Sequence, residues 1–202
     1  MTEIEAKFKI QNPTEVREKL LSCQAEHVQT VLQEDTYLDT DERQLYRNDT
    51  GLRLRIVKKI NPKDPDDKQI TTLTYKGPRR EGDLKIREEQ EVIVNSADTA
   101  LAILARLGYR PTISFQKRRE SFKLKNARIE LDELPKMGFF LEIEADDEQT
   151  IQSVRELLGL ANSPTITKTY AELVAEYLNR NSSQEQGTIR KLYFWRSSKS
   201  CR

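Results

Sequence analysis

The chain opens with Glu3-Ile4-Glu5-Ala6-Lys7-Phe8, carboxylates and an amine at every second position. Residues i, i+2 and i+4 of a strand share a face, so Glu3, Glu5 and Lys7 would line one side and Ile4, Ala6 and Phe8 the other. The alternation recurs along the sequence. Its charged positions are Arg53/Arg55, Lys76 with Thr74, Arg87/Glu89/Glu91, Lys117/Arg119, Glu130/Asp132 and Glu142/Glu144. The opposite positions are largely apolar: Leu52/Leu54/Ile56, Leu73/Tyr75, Ile129/Leu131 and Phe139/Leu141/Ile143/Ala145. The basic set, Lys7, Arg53, Arg55, Lys76, Arg87, Lys117 and Arg119, could neutralise several phosphate charges, with arginines as forked donors and lysines as point charges. Glu3, Glu5, Glu142 and Glu144 offer the hard oxygen ligands that Mg²⁺ and Mn²⁺ take. Metal ions bridging phosphate oxygens stabilise charge as a phosphoryl group transfers.

Two architectures accommodate the pattern. One is an antiparallel sheet with a wet face and a face under helices. The other closes the sheet into a barrel with the charges inside and helices over the apolar outer wall; eight strands can enclose a ligand-holding lumen. A lumen lined by both signs needs a guest that pairs with both, because a buried unpaired charge costs on the order of several kcal/mol. A polyanion with divalent cations is that guest.

The elements that must position these groups follow from local signals. Residues 3–8 form the first strand. Asn12-Pro13-Thr14-Glu15 supplies an N-cap, a proline at the first helical position and an acid at the third, so a helix is expected over 13–23. Short strands are expected at 36–39, 51–56 and 70–76, with the proline- and charge-rich connection 61–68 between the last two. The order then repeats: a strand at 85–94, a helix from Ser96 to Leu107 stopped at Gly108, and strands near 115–124, 127–131 and 139–145. Two βαβββ halves make eight strands, an internal duplication, followed by helices at about 147–158 and 168–179. Residues 1–179 are read as one α+β domain and 180–202 as a flexible basic tail.

Composition narrows the function classes. The chain is 36% hydrophobic and 33% charged, with a net charge of +1. That balance argues against nucleic acid and anionic membranes as general partners. No apolar run approaches the ~18 residues of a membrane span, and the N-terminus lacks a signal peptide's basic and apolar regions, so a cytoplasmic protein is expected. Two cysteines make no disulfide framework, and one histidine, His27, expected in a solvated loop, excludes histidine-based zinc sites. Neither GxxxxGK[ST] nor GxGxxG occurs, so side chains rather than a glycine-rich loop would hold any nucleotide. Outward apolar strand positions left bare by helices would suit a homodimer face.

Glu3-Ile4-Glu5-Ala6-Lys7 resembles the E-x-E-x-K signature of the CYTH superfamily, the triphosphate tunnel metalloenzymes. Tyr37-Leu38-Asp39-Thr40, Leu52-Arg53-Leu54-Arg55, Leu73-Thr74-Tyr75-Lys76-Gly77-Pro78, Arg87-Glu88-Glu89-Gln90-Glu91-Val92, Lys117-Arg118-Arg119, Leu131-Asp132-Glu133-Leu134 and Gly138-Phe139-Phe140-Leu141-Glu142-Ile143-Glu144 fall in that family's order. The resemblance spans about residues 2–178 and implies an eight-stranded antiparallel tunnel. It implies that Glu3, Glu5, Glu144 and Glu142 hold Mg²⁺ or Mn²⁺. Lys7, Arg53, Arg55, Lys76, Lys117 and Arg119 would bind the triphosphate, with Lys7, Lys76 and Arg119 closest to the chemistry. Arg87 would join them or, with Glu89, Glu91, Glu130 and Asp132, shape the lumen or a second metal position. Thr74-Tyr75-Lys76-Gly77-Pro78 is most similar to the class IV adenylyl cyclase branch, and Thr169-Tyr170 resembles a Ser-Tyr found there. ATP is the substrate this implies, with inorganic tripolyphosphate as the alternative. The only tryptophan is Trp195, outside the match, so an aromatic clamp for thiamine triphosphate is not expected.

Overall fold

A computed structural model describes residues 2–60, 69–80, 82, 84–181 and 189–194, with Thr2 and Glu3 described for backbone only. The elements run β1 (Thr2–Ile10), α1 (Pro13–Ser22), β2 (Glu26–Asp39), α2 (Gln44–Arg47), β3 (Gly51–Lys59), β4 (Ile70–Lys76), β5 (Lys85–Val94), α3 (Ala97–Arg106), β6 (Arg110–Leu124), β7 (Ala127–Leu134), β8 (Gly138–Ala145), α4 (Glu148–Leu157), α5 (Tyr170–Asn181) and β9 (Arg190–Leu192). Helix starts follow their caps: Asn12 accepts from the Glu15 amide, Ser96 from Thr99 and Asp147 from Thr150, each such cap contributing about 1 kcal/mol.

The strands pair in the order β2-β3-β4-β5-β1-β8-β7-β6, and β6 returns to β2 to close an eight-stranded antiparallel barrel. Exchanging each strand with the one four places on maps this pairing list onto itself: β2–β3 becomes β6–β7, and β1–β8 becomes β5–β4. The two βαβββ halves are therefore related by a pseudo-two-fold, as the repeated element order predicts.

The apolar parity faces out. Ala6, Phe8, Ile129, Leu131, Leu141 and Ile143 are buried under α1 and α4, through Leu20, Ile151 and Val154. Leu38 and Leu54 pack beneath α3 with Leu104. The charged parity faces in, where Lys7, Arg53, Lys117, Glu130 and Asp132 are buried.

Four differences from the sequence reading stand out. β2 starts at Glu26 rather than Thr36, so His27 lies on a strand, edge-on to Phe122, rather than in a loop. A short extra helix, α2, follows β2. The lumen-facing parity turns apolar toward one mouth, where Ile113, Phe115, Leu134 and Phe140 pack against Tyr170 and Val174. α5 thus closes that mouth instead of covering the wall. Finally, within the segment expected as a flexible tail, α5 runs to Asn181 and Arg190–Leu192 pairs in parallel with Ile113–Phe115 of β6. That edge of β6 is open because β7 pairs only with Arg118–Leu124. The connection 61–68, Trp195 and the rest of the tail lie outside the described residues.

Candidate active site in the barrel lumen

Two layers of ion pairs line the lumen. In one, Lys85 Nζ donates to Glu5 at 2.7 Å, and Lys7 Nζ lies 3.3 Å from Glu142 and 3.8 Å from Glu5. Strand register explains this: Lys85 pairs with Glu5 across β1–β5, and Glu142 with Lys7 across β1–β8. In the other, Arg119 donates to Asp132 at 2.6 Å and also to Glu142, while Lys117 donates to Asp132 at 3.0 Å. Ser121 holds Glu130 at 2.6 Å. On the facing wall Arg55 makes a forked pair with Asp35 at 2.6 and 2.7 Å, and Arg53 donates to Thr74, which donates to Glu91. Lys76 is paired with Glu89.

The structure therefore gathers Glu5, Lys7, Arg53, Arg55, Lys76, Lys117, Arg119, Glu130, Asp132 and Glu142 on one enclosed surface. Glu144 shares their parity, opposite Glu5 in the β1–β8 register, and Glu89 and Glu91 lie toward the β4–β5 wall. Glu3 sits in register with Arg87, and its side chain lies outside what is described. Arg87 is the one cation with a different task. Its guanidinium donates to the carbonyls of Gly77 at 2.8 Å and Asp49 at 3.0 Å, so it ties the loop after β4 to the loop before β3.

Sequence reading missed four lumen residues. Asp35 and Gln33 lie on the part of β2 not expected to be strand, while Tyr37, inside the expected strand 36–39, shares their parity. Lys85 precedes Arg87 by two and so shares its face, a parity signal available in the sequence. Tyr170 was singled out only by resemblance; its ring lies 4.1 Å below Lys7 Nζ and 4.6 Å below Lys117 Nζ.

Burial governs the ionisation of these groups. Burial alone would raise the Glu142 carboxyl, but Lys7, Arg119 and Lys117 outweigh it and hold the pKa well below the usual value. Burial raises Glu130. Tyr170 stays neutral, raised by burial and by Asp132 and Glu142.

For Asp35, burial is overcome by Arg55 and Arg53, so its folded pKa lies far below the unfolded one. The carboxylate then contributes stability above the ordinary carboxylate pKa and loses that contribution as pH falls toward the folded value. Asp35→Asn should cost about 3 kcal/mol at neutral pH, because it leaves Arg55 buried without its anion. Urea unfolding at pH 7 and pH 3 should show a smaller difference between variant and parent in acid.

Lys117 is pushed down to about 8 by burial first and Arg119 second, with Asp132 opposing. Its charge is complete below that value and lost above it. An anion held beside Lys117 should therefore be bound less tightly at pH 9 than at pH 7, as titration calorimetry with inorganic tripolyphosphate as the probe would measure.

Hard carboxylate oxygens suit a divalent cation, and Glu5 stands opposite Glu144 across β1–β8. Among the described residues no three acidic groups already converge as a ligand cluster. A cation at this position would take Glu5 from Lys85 and add Glu144, with Glu3 on the same strand parity. The site also holds buried polar atoms without partners, Arg53 Nε and Gln33 Oε1, as a lumen built for a polar guest would.

At the mouth bearing Lys76 and Arg87, a cavity of about 470 Å³ opens between α2, the start of β3 and α5. Tyr37, Tyr46, Ile113 and Ala171 give it apolar surface, and Arg43, Arg79 and Arg190 give it positive charge. Asp39 builds its α2 wall by accepting from the amides of Thr40, Leu45 and Tyr46. Arg79, in the loop after β4, donates to Asp49 and to Glu172 of α5.

The sequence profile of the CYTH domain matches residues 1–170. The chain belongs to the CYTH family. Adenylate cyclase CyaB of Aeromonas hydrophila is 28% identical to this CYTH protein over 161 residues, covering 75% of this chain and 77% of CyaB. The structure of PH1819 from Pyrococcus horikoshii superposes with a TM-score of 0.74 at 27% identity, covering 87% of this chain and 99% of that one. HpAC1 from Hippeastrum, described as an adenylyl cyclase candidate with a dominant triphosphatase activity, shares the fold at a TM-score of 0.62 and 18% identity, over 91% of this chain and 98% of its own. No described helix is long and apolar enough to cross a membrane.

Proposed function

We propose that this CYTH protein is a cytoplasmic, divalent-metal-dependent adenylyl cyclase of the class IV type, converting ATP to cyclic AMP and pyrophosphate inside the barrel. One observation carries the reading: cations from β1, β3, β4 and β6 and carboxylates from β1, β7 and β8 face the same enclosed space. The mouth cavity supports a nucleotide over an inorganic chain, because its volume falls within the roughly 300–1,000 Å³ of small-molecule pockets and it adjoins Lys76.

Lys7, Arg53, Arg55, Lys76, Lys117 and Arg119 bind the triphosphate, each exchanging a carboxylate partner for phosphate oxygens. Arg87 acts beside them by fixing the mouth loops. Glu3, Glu5 and Glu144, with Glu142 adjacent, hold Mg²⁺ or Mn²⁺, which when bound supplies Lewis-acid stabilisation of the phosphate oxygens. Lys7, Lys76 and Arg119 stabilise the charge that builds as the ribose 3′-oxygen bonds to the α-phosphorus and the bond to the β-phosphate oxygen breaks. Glu89, Glu91, Glu130 and Asp132 keep unoccupied cations paired and in place, and Asp132 with Glu130 is the candidate second metal position.

The activity described for HpAC1 favours a second reading, in which water attacks the terminal phosphate of tripolyphosphate held by the same cations. Product analysis separates them. The protein is incubated with ATP or tripolyphosphate and Mg²⁺ or Mn²⁺, followed by ³¹P NMR and chromatography. Cyclic AMP and pyrophosphate from ATP are expected. Orthophosphate from tripolyphosphate with ATP untouched would establish the triphosphatase, and no turnover of either would leave only a binding module.

A further inference from the structure

The family match ends at residue 170, yet α5 and β9 beyond it complete the lumen. Lys7 is held from below by this region: its Nζ donates to the Lys168 carbonyl at 3.0 Å and lies over the Tyr170 ring. Lys117 lies over the same ring. Tyr170 is set by the turn that starts α5, where the Glu172 amide donates to Thr169 Oγ1 and the Thr169 amide to Glu172.

α5 itself is fastened by β9. Leu192 is buried against the cluster containing Tyr170, Val174 and Phe115. Arg190 donates to the Ala175 carbonyl at 2.6 Å and to Asn179 at 2.9 Å. Just beyond the strand, Tyr193 donates to Glu34 on β2 and shares a hydrogen bond with Ser114, while the Phe194 amide reaches Gln116. One short segment thus grips the helix on one side and the barrel wall on the other.

We infer that β9 is a clasp that seats α5 in the mouth, and that Leu192 and Arg190 are positioning residues acting through Tyr170 on the anion-binding amines of Lys7 and Lys117. This rests on the reading that the lumen binds a triphosphate. The cation–π contacts carry the coupling, since a ring face fixes where an ammonium sits only while the ring itself is fixed.

The test uses the full chain, with inorganic tripolyphosphate as the probe and amide hydrogen exchange as a second readout. Leu192→Asp should weaken tripolyphosphate binding by roughly tenfold and speed exchange in α5 while the barrel strands keep their protection. Leu192→Met should restore both. In a Tyr170→Leu background, Leu192→Asp should add little further loss, because residues acting through one contact are not additive. Should Leu192→Asp fail to fold, Arg190→Ala carries the same comparison. Faster α5 exchange with unchanged binding overturns the clasp's role, as does an undiminished Leu192 effect in the Tyr170→Leu background. Unaltered α5 exchange overturns the clasp itself. Wild-type protein that does not bind tripolyphosphate overturns the lumen reading, and the exchange comparison still decides whether β9 seats α5.

Discussion

Glu5→Gln should lower metal-dependent turnover by about 10³-fold, equivalent to ~4 kcal/mol of transition-state stabilisation, while the barrel stays folded. Glutamine keeps the volume and one carbonyl oxygen but removes the charge that would hold a divalent cation with Glu144 across β1–β8. Lys85 loses its 2.7 Å partner in the process. That loss falls in a polar lumen rather than an apolar core, with Glu142 and Glu144 on the adjacent strand, so neighbouring carboxylates can re-pair. The measurement is product formation with saturating Mg²⁺ or Mn²⁺ beside a circular dichroism melt. Turnover equal to the parent's in both metals would remove Glu5 from the site.

Leu54→Asp should leave the protein unfolded at room temperature. Leu54 is 2% exposed and packs with Leu38 and Leu104 beneath α3, in a cluster of apolar side chains. An unpaired charge there costs about 4–5 kcal/mol or more, on top of the lost apolar burial, against a typical total stability of about 5–15 kcal/mol. Its neighbours Arg53 and Arg55 point the other way, so the same substitution one residue along would meet a different environment. A native circular dichroism spectrum with an unchanged melting temperature would mean that the inside and outside of the barrel had been exchanged.

Strands whose outer face is continuously apolar were legible from parity alone: β1, β3, β7 and β8 each set alternate charges against alternate aliphatics. The repeated element order then contained the pseudo-two-fold. β2 was harder because Glu26–Asp35 carries polar residues on both faces, with only Val31 buried among its apolar side chains, so alternation fades and Asp35 goes unread. Arg87 illustrates a different limit. Parity places it in the lumen correctly, yet only the approach of the Gly77 and Asp49 carbonyls decides that its guanidinium ties loops instead. Arg190–Leu192 is too short for any periodicity; its structure comes from the open edge of β6, a partner some 75 residues upstream in the sequence.

The pseudo-two-fold relates strands of opposite electrical character. β1 brings Glu3 and Glu5 to its seam with β5, which answers with Arg87 and Lys85. β3 carries Arg53 and Arg55 where its counterpart β7 carries Glu130 and Asp132, and Asp35 on β2 corresponds to the region of Lys117 and Arg119 on β6. A ring assembled from two identical half-length chains would place the same residues on both sides of the β1–β5 and β2–β6 seams and give matching walls. Two halves of different sequence instead let one wall carry carboxylates where its mirror carries arginine and lysine. Separating the halves into two independently expressed polypeptides should therefore yield a functional ring only as a heterodimer, with neither half able to substitute for the other.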